Sequence, residues 1–319
     1  MTCVSVGERI SLIESIFGKG KTDRTKTNIA VKCPNCENNG KNVKHKRKLI
    51  IRVDNDICHC WVCGWKSRSV LPLIKRFGSR SQFEEYRESV SVCVNIDDQE
   101  LSKIKRKLSL PYDFTLITKL SDKRRPSIIR YLSSRGLDWS DIALWNLGVS
   151  NIKEYKERII VPSFDRFGKL NFIATRSYNK KINSHHNSDV ERTTVIFNEF
   201  NIDWTKDVVL CEGPFDMFKC GRNSIPLLGC ELSEDSATFD AILMNNPTII
   251  IALDSDMKHK MIKLASLLSS YEITVKVIKV IDDPGSMSKK DIFELLNNAR
   301  LWSWEQKINC KIESAFCDS

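Results

Sequence analysis

Residues 208–216 read VVLCEGPFD, and residues 249–256 read IIIALDSD. In each, an unbroken apolar run delivers acidic side chains at its end. Glu212 follows the first run with Asp216 four residues on, and Asp254 and Asp256 follow the second. Apolar runs of this length without alternation read as strands buried on both faces, the habit of a parallel sheet. Two further runs, 225–228 and 273–281, alternate with helical stretches at roughly 214–222, 233–245, 257–270 and 289–299. Strand and helix alternating in this way predict an α/β fold with a mostly parallel sheet covered on both faces. Ligands of such sheets collect at the carboxyl ends of the strands. Glu212 and Asp254 then share one sheet edge, and aspartates at i and i+2 can point the same way. Three or four carboxylates converging there repel one another unless a divalent cation sits among them, and hard oxygen donors suit Mg2+ or Mn2+. Asp216 also has a simpler reading as a helix cap. Asp291, in SKKD at 288–291, adds an acid after the last strand.

Working toward the N-terminus, RIIVPSFDRFGKLNFIATRSY (158–178) reads as a β-hairpin turning at Asp165-Arg166-Phe167-Gly168. Residues 123–149 read as two short helices around Arg135 and Gly136. Residues 91–112 change composition quickly and end in Pro111, so a linker is expected with a boundary near 95–110. Helices are expected over 8–18, ending at Gly18, and over 68–90.

The remaining signal is cysteine. Of 12 cysteines, five fall between Cys33 and Cys63. CPNC at 33–36 and CWVC at 60–63 form two C-x2-C knuckles, and four thiolates so paired suit one tetrahedral zinc. The segment between them, LIIRVDNDICHCWV, reads as a hairpin. Cys58 and His59 remain alternatives for a ligand position. Trp61 and Trp65 flank the last knuckle and either pack against it or stack on bases of a single strand. Residues 1–80 hold 17 Lys/Arg against 6 Asp/Glu, whereas the remainder holds 33 against 34, so the net charge of +10 sits on the N-terminal quarter. The run KHKRK at 44–48 belongs to it, as a phosphate contact or a solvated loop. A basic module joined to a neutral one suggests a phosphate-backbone partner. No apolar run approaches the ~20 residues that span a bilayer and no signal-peptide pattern opens the chain, so a soluble cytoplasmic protein with no membrane partner is expected.

E-G-x-x-D and D-x-D, each after an apolar strand, match the TOPRIM motif. With CPNC and HCWVC, IIRYLSSRGL, RIIVPSFDRFGKLNFIATR, LCEGPFDMF, LGCELS, ALDSDM and KKDIFELL in the same order, the chain resembles the bacterial and phage primases, most of all those of the T-even phages. The resemblance implies a zinc ribbon for template recognition at 1–95, a linker at 96–110, the basic N-terminal part of an RNA polymerase core at 111–200, and a TOPRIM catalytic subdomain with C-terminal helices at 201–319. It implies one structural Zn2+ on Cys33, Cys36, Cys60 and Cys63. It gives Glu212 a base or metal-organising role, sets Mg2+ or Mn2+, two ions in number, on Glu212, Asp254, Asp256 and Asp291, and directs Arg158, Arg176 and Lys290 to template or nucleotide phosphates. Phe293 departs from the asparagine usual in that family two residues after the Lys-Asp pair. The partners implied are a single-stranded DNA template, ribonucleoside triphosphates, a replicative helicase on a separate chain and, as a further candidate, single-strand binding protein. The cytoplasm of a bacterial host follows if the chain is phage-encoded. The competing reading is a non-catalytic DNA-repair mediator with zinc and TOPRIM parts, which would need neither the intact acids nor the basic hairpin. A topoisomerase would need a large gate, and a TOPRIM nuclease would not need the ribbon.

Overall fold

The computed structural model describes residues 5–40, 46–93, 108–179, 186–278, 287–303 and 308. Packing divides the chain into two units, Met1–Lys107 with Ser233–Asn245, and Leu108–Leu232 with Asn246–Ser319. Most of the expected linker, residues 96–107, and the first two residues of the basic run lie outside the described residues.

The first unit opens with α1 (Val6–Phe17), whose N-terminus is closed by a reciprocal pair: the Ser5 hydroxyl accepts from Glu8 N–H and the Glu8 carboxylate accepts from Ser5 N–H. Five strands follow in an antiparallel meander, β1 (Lys21–Thr22), β2 (Asn28–Val31), β3 (Leu49–Arg52), β4 (Cys58–Cys60) and β5 (Lys66–Ser67), ordered as in the sequence. A short α2 (Pro34–Asn38) lies between β2 and β3. Leu49 faces Cys60 and Ile51 faces Cys58, so the expected hairpin forms between the two knuckles. The helix expected over 68–90 is two helices, α3 (Leu71–Phe77) and α4 (Arg80–Cys93). The break has a local cause: Gly78 N–H closes the first on the Ile74 carbonyl, and Ser79 and Gln82 cap the second by exchanging side-chain and backbone bonds. Arg9 is buried, donating to Asp56 at 2.6 Å and to the Val53 carbonyl at 2.8 Å, which ties α1 to the β3–β4 turn.

The second unit begins with β6 (Thr115–Leu116), α5 (Arg125–Ser134), α6 (Trp139–Leu144) and β7 (Gly148–Val149), then β8 (Arg158–Phe164) and β9 (Leu170–Ser177). These strands form an antiparallel sheet ordered β6-β7-β8-β9. The hairpin turns where expected, because the Asp165 carboxylate accepts from the N–H groups of both Phe167 and Lys169. A second sheet follows from β10 (Val208–Cys211), α7 (Pro214–Cys220), β11 (Ser224–Pro226), α8 (Ala237–Asn245), β12 (Ile249–Ala252), α9 (Lys258–Ser269), β13 (Val275–Val277), α10 (Lys289–Asn297) and β14 (Arg300–Leu301). Its order is β11-β10-β12-β13-β14, parallel except for the antiparallel edge strand β14, which the sequence pattern did not announce. The fold is thus α/β with a mostly parallel sheet. β10 and β12 are wholly buried. An apolar core in which Ile159, Val161, Phe172 and Ala174 of the hairpin pack with Cys211, Met217 and Phe218 ties the two sheets together.

One crossover helix departs from the simple pattern. α8 joins β11 to β12 in the chain, yet groups with the first unit, where it packs against α3. Trp65 Nε1 and Ser67 Oγ both donate to Glu234, and Arg87 donates to the Met244 carbonyl.

Candidate metal centre and acidic cleft

In the first unit, α2 and the β4 end present the two knuckles to each other. The ligand atoms of Cys33, Cys36, Cys60 and Cys63 all lie within 4.8 Å of one another, the one such group of His, Cys, Asp or Glu among the described residues. Cys36 and Cys60 Sγ are 3.5 Å apart, and Cys33 and Cys63 Sγ 3.9 Å. Zinc–sulfur bonds of ~2.3 Å in a tetrahedron space the sulfurs by roughly 3.8 Å, so the four cysteines fit a structural zinc site. Gly64 takes a left-handed backbone (φ 74°) and returns its N–H to the Cys60 carbonyl at 3.0 Å, closing the second knuckle. Burial pushes the thiols of Cys33 and Cys36 up, the latter to about 11, so metal binding here releases protons. Cys58 and His59 lie outside the cluster. The Cys58 thiol points at the carbonyls of Ser67 and Ser69, and the His59 ring meets Trp61 edge-on at 4.5 Å.

The two tryptophans separate in role. Trp65 is partly buried and held by Glu234 at 2.9 Å, whereas Trp61 is 70% exposed. Lys46, Arg47 and Lys48, the described part of the basic run, are exposed, with Arg47 Nε bonded to the Lys19 carbonyl. On α8, Asp240 keeps one carboxylate oxygen shut from solvent without a hydrogen-bond partner. Burial pushes its carboxyl up to about 7, against the pull of Arg68.

In the second unit, the parallel register sets Cys211 of β10 beside Ala252 of β12, so Glu212 and Asp254 emerge at neighbouring strand ends. Both line a cleft of about 470 Å³, together with Arg176 of β9 and with Arg135, Arg192 and Asp216. Three guanidinium groups and three carboxylates therefore share one concavity. Arg135 stands at the end of α5 beside Gly136, whose φ of 77° makes the turn into α6. Arg192 is fastened by a bond to the Leu228 carbonyl at 2.8 Å, and Leu228 itself adopts a left-handed backbone (φ 56°). Asp216 accepts from Gly213 N–H at 2.9 Å, so the capping reading holds for it even though it lines the cleft.

The other expected residues do not line this cleft. Asp256 is exposed on the single 3-10 turn after β12. Asp291 is engaged as the cap of α10, accepting from the Ser288 hydroxyl at 2.7 Å and more weakly from its N–H. Lys290 is exposed and reaches Glu294 at 4.0 Å, while neighbouring Lys289 pairs with Asp141. Arg158 is buried at the start of β8, where desolvation pushes its guanidinium down. Phe293 is 63% exposed on α10. Sequence reasoning missed Arg135 and Arg192. A helix-ending Arg-Gly pair was the available signal for the first, and the irregular stretch holding the second has no periodicity to mark it. No helix among the described residues is long and apolar enough to cross a membrane.

No protein-family model and no curated protein matches the chain. Among solved structures it is similar to the zinc-binding and RNA polymerase domains of the Aquifex aeolicus primase, at 15% identity over 96% of this chain and 90% of that one, with a TM-score of 0.48. It is also similar to the DnaG primase catalytic domain bound to ssDNA, at 15% identity over 58% and 75% of the two chains and a TM-score of 0.48. A third is the RNA polymerase domain of Mycobacterium tuberculosis primase DnaG with a double-stranded DNA oligomer carrying a 6-nucleotide overhang, at 14% identity, 64% and 81% coverage and a TM-score of 0.49. The geometry of this chain's own residues, and not so distant a likeness, carries the functional reading.

Proposed function

We propose that the chain is a primase-type nucleotidyltransferase that copies single-stranded DNA into short RNA primers. The observation that carries this reading is the cleft in which Glu212 and Asp254, at the ends of adjacent parallel strands, face Arg135, Arg176 and Arg192. Carboxylate oxygens of this kind suit Mg2+ or Mn2+, and the arginines suit the phosphates of a ribonucleoside triphosphate, which the planar guanidinium grips in a fork. When bound, divalent cations would supply charge neutralisation for the triphosphate and its pyrophosphate leaving group. Glu212 takes the base or metal-organising role, and Asp254 is its partner ligand. Asp256 and Asp291 are further candidates for the metal and Lys290 for a phosphate, although none of the three lines the cleft, and Arg158 supports the hairpin that carries Arg176.

The first unit supplies the grip on template. Its exposed Trp61 offers a face for base stacking and its basic residues offer phosphate contacts. A replicative helicase is the partner on a separate chain, with single-strand binding protein a further candidate, and the working compartment is the cytoplasm, that of a bacterial host if the chain is phage-encoded. The test is to incubate the full chain with single-stranded DNA, labelled ribonucleotides and Mg2+. Short RNA products support the proposal. Cut DNA in their place would point to a nuclease, and no product at all to a non-catalytic mediator.

A further inference from the structure

A second concavity lies at the turn end of the β8–β9 hairpin, with a volume of about 380 Å³. None of its lining residues belongs to the acidic cleft except by chain continuity: Val161 lines one, Ser163 and Phe164 the other. Small-ligand sites begin at roughly 300 Å³. Three features of this concavity go together. Phe200, on the 3-10 turn Glu199–Asn201, lines it while remaining 60% exposed, and Phe167 on the adjacent turn is 59% exposed. An exposed aromatic face beside a concavity offers a surface on which a flat ring can stack.

The second feature is a guanidinium held in place. Arg222, itself exposed, donates to Asn201 Oδ1 at 3.1 Å. The Asn201 amide donates in turn to Asn198 Oδ1 at 2.6 Å. Asn198 is 4% exposed, takes a left-handed backbone (φ 66°), and anchors its own amide on the carbonyls of Arg222 and Ser224, both at 2.9 Å. A buried asparagine therefore fixes the orientation of a solvent-facing arginine, and one edge of the guanidinium is left for an anion. The third feature is the Asn146 side chain on the rim, which has no hydrogen bond to the described residues and can read a polar ring edge.

We propose that this concavity is a second nucleotide-binding site, in which a nucleobase stacks on Phe200, Asn146 meets its edge and Arg222 takes a phosphate. Flat aromatic faces and a positioned guanidinium are the complement of a nucleoside phosphate. That unit can arrive as a free nucleotide or as one residue of a single strand. The inference does not depend on catalysis in the acidic cleft.

The experiment uses the full chain, with radiolabelled ATP and a fluorescein-labelled oligothymidylate as separate probes and Glu212→Gln as the background that disables the acidic cleft. Phe200→Ala and Arg222→Gln, both at exposed positions, should each weaken at least one probe by about tenfold. Loss confined to ATP identifies a free-nucleotide site, and loss confined to the oligonucleotide identifies a single-strand path. Because a substitution can abolish binding by misfolding, crosslinking of the unsubstituted protein with 8-azido-ATP and with a 4-thiothymidine oligonucleotide gives an independent reading. Labelled peptides should contain Phe200 or Arg222. Unchanged affinity for both probes in both variants, or crosslinks confined to peptides of the acidic cleft, overturns the proposal. A failure of RNA synthesis alone leaves it standing and removes only the catalytic reading.

Discussion

The cysteine cluster and the acidic cleft both gather charge-bearing ligands, but they assemble them differently. Four thiols lie within 4.8 Å because each knuckle is a tight local turn and three consecutive meander strands, in which Val31 pairs with Leu49 and Leu49 with Cys60, bring the two together. The acids are delivered by separate strand ends and helix starts. Glu212 and Asp254 reach one cleft because β10 and β12 are adjacent and in register, whereas Asp291 is engaged as a helix cap. Local spacing alone specifies the first site. The second needs the whole parallel sheet, and its guanidinium complement comes from helix end, hairpin and loop.

The sharpest break of that comparison is removal of a thiol. Cys36→Ser or Cys60→Ser should abolish stoichiometric zinc and unravel the first unit, because metal binding of about 10–16 kcal/mol is folding free energy in such modules. Metal analysis with hydrogen exchange reads both, and zinc retained at one per chain in either variant would show that the cluster is not the site. In the acidic cleft the corresponding change should cost activity and not structure. Glu212→Gln and Asp254→Asn should lower dinucleotide synthesis by roughly a hundredfold or more with melting unchanged. Asp291→Asn sharpens the contrast: if it is chiefly a cap, it should cost about 1 kcal/mol of stability, and a loss of synthesis as large as that of Asp254→Asn would return it to the metal site.

Next come the tryptophans. Trp61→Ala should weaken single-stranded DNA binding by about 1–3 kcal/mol without changing the melting temperature. Trp65→Ala, by losing its bond to Glu234, should do the reverse. Equal effects in the two would dissolve the distinction between stacking face and structural wedge. A further contrast concerns Asp240. Its carboxyl keeps its proton to about pH 7 in the folded protein but ionises from its ordinary 3.8 in the unfolded chain. Between those values the folded state binds more protons, so stability falls as pH rises from 4 to 7. Asp240→Asn should flatten that slope and raise stability at pH 8 by about 1–2 kcal/mol, a figure discounted for partial exposure. A melting curve series that keeps its slope in the variant would assign the pH dependence elsewhere.

How much of this was legible depends on the range of each signal. The Val208–Cys211 and Ile249–Ala252 strands, the Asp165 turn and the knuckles are written in neighbouring residues and form where their pattern places them, whereas the runs 225–228 and 273–281 form strands only at Ser224–Pro226 and Val275–Val277, with 279–281 outside the described residues. Val70, Leu73, Ile74 and Phe77 share one face of the helix expected over 68–90, but the caps at Gly78 and Ser79 cut it into two helices. The β14 edge strand is two residues long and has no pattern to show. Arg135 and Arg192 reach the cleft through tertiary placement, a glycine turn for one and the Leu228 carbonyl for the other. Nothing within a few residues of either records that destination. The partnership of α8 with α3 is likewise invisible in a helix whose sequence position lies between two strands of the other sheet.

That partnership has a consequence for how the protein is made. On the ribosome, residues 1–107 emerge first, but the helix that covers α3 follows only when residue 245 has left the exit tunnel. At about 5–20 residues per second the wait is on the order of ten seconds. Through that interval the N-terminal unit is an unfinished product with an uncovered apolar helix face. Its maturation is therefore timed by translation of the middle of the chain, and synonymous codon changes that slow residues 108–245 should prolong its exposure to chaperones and proteases.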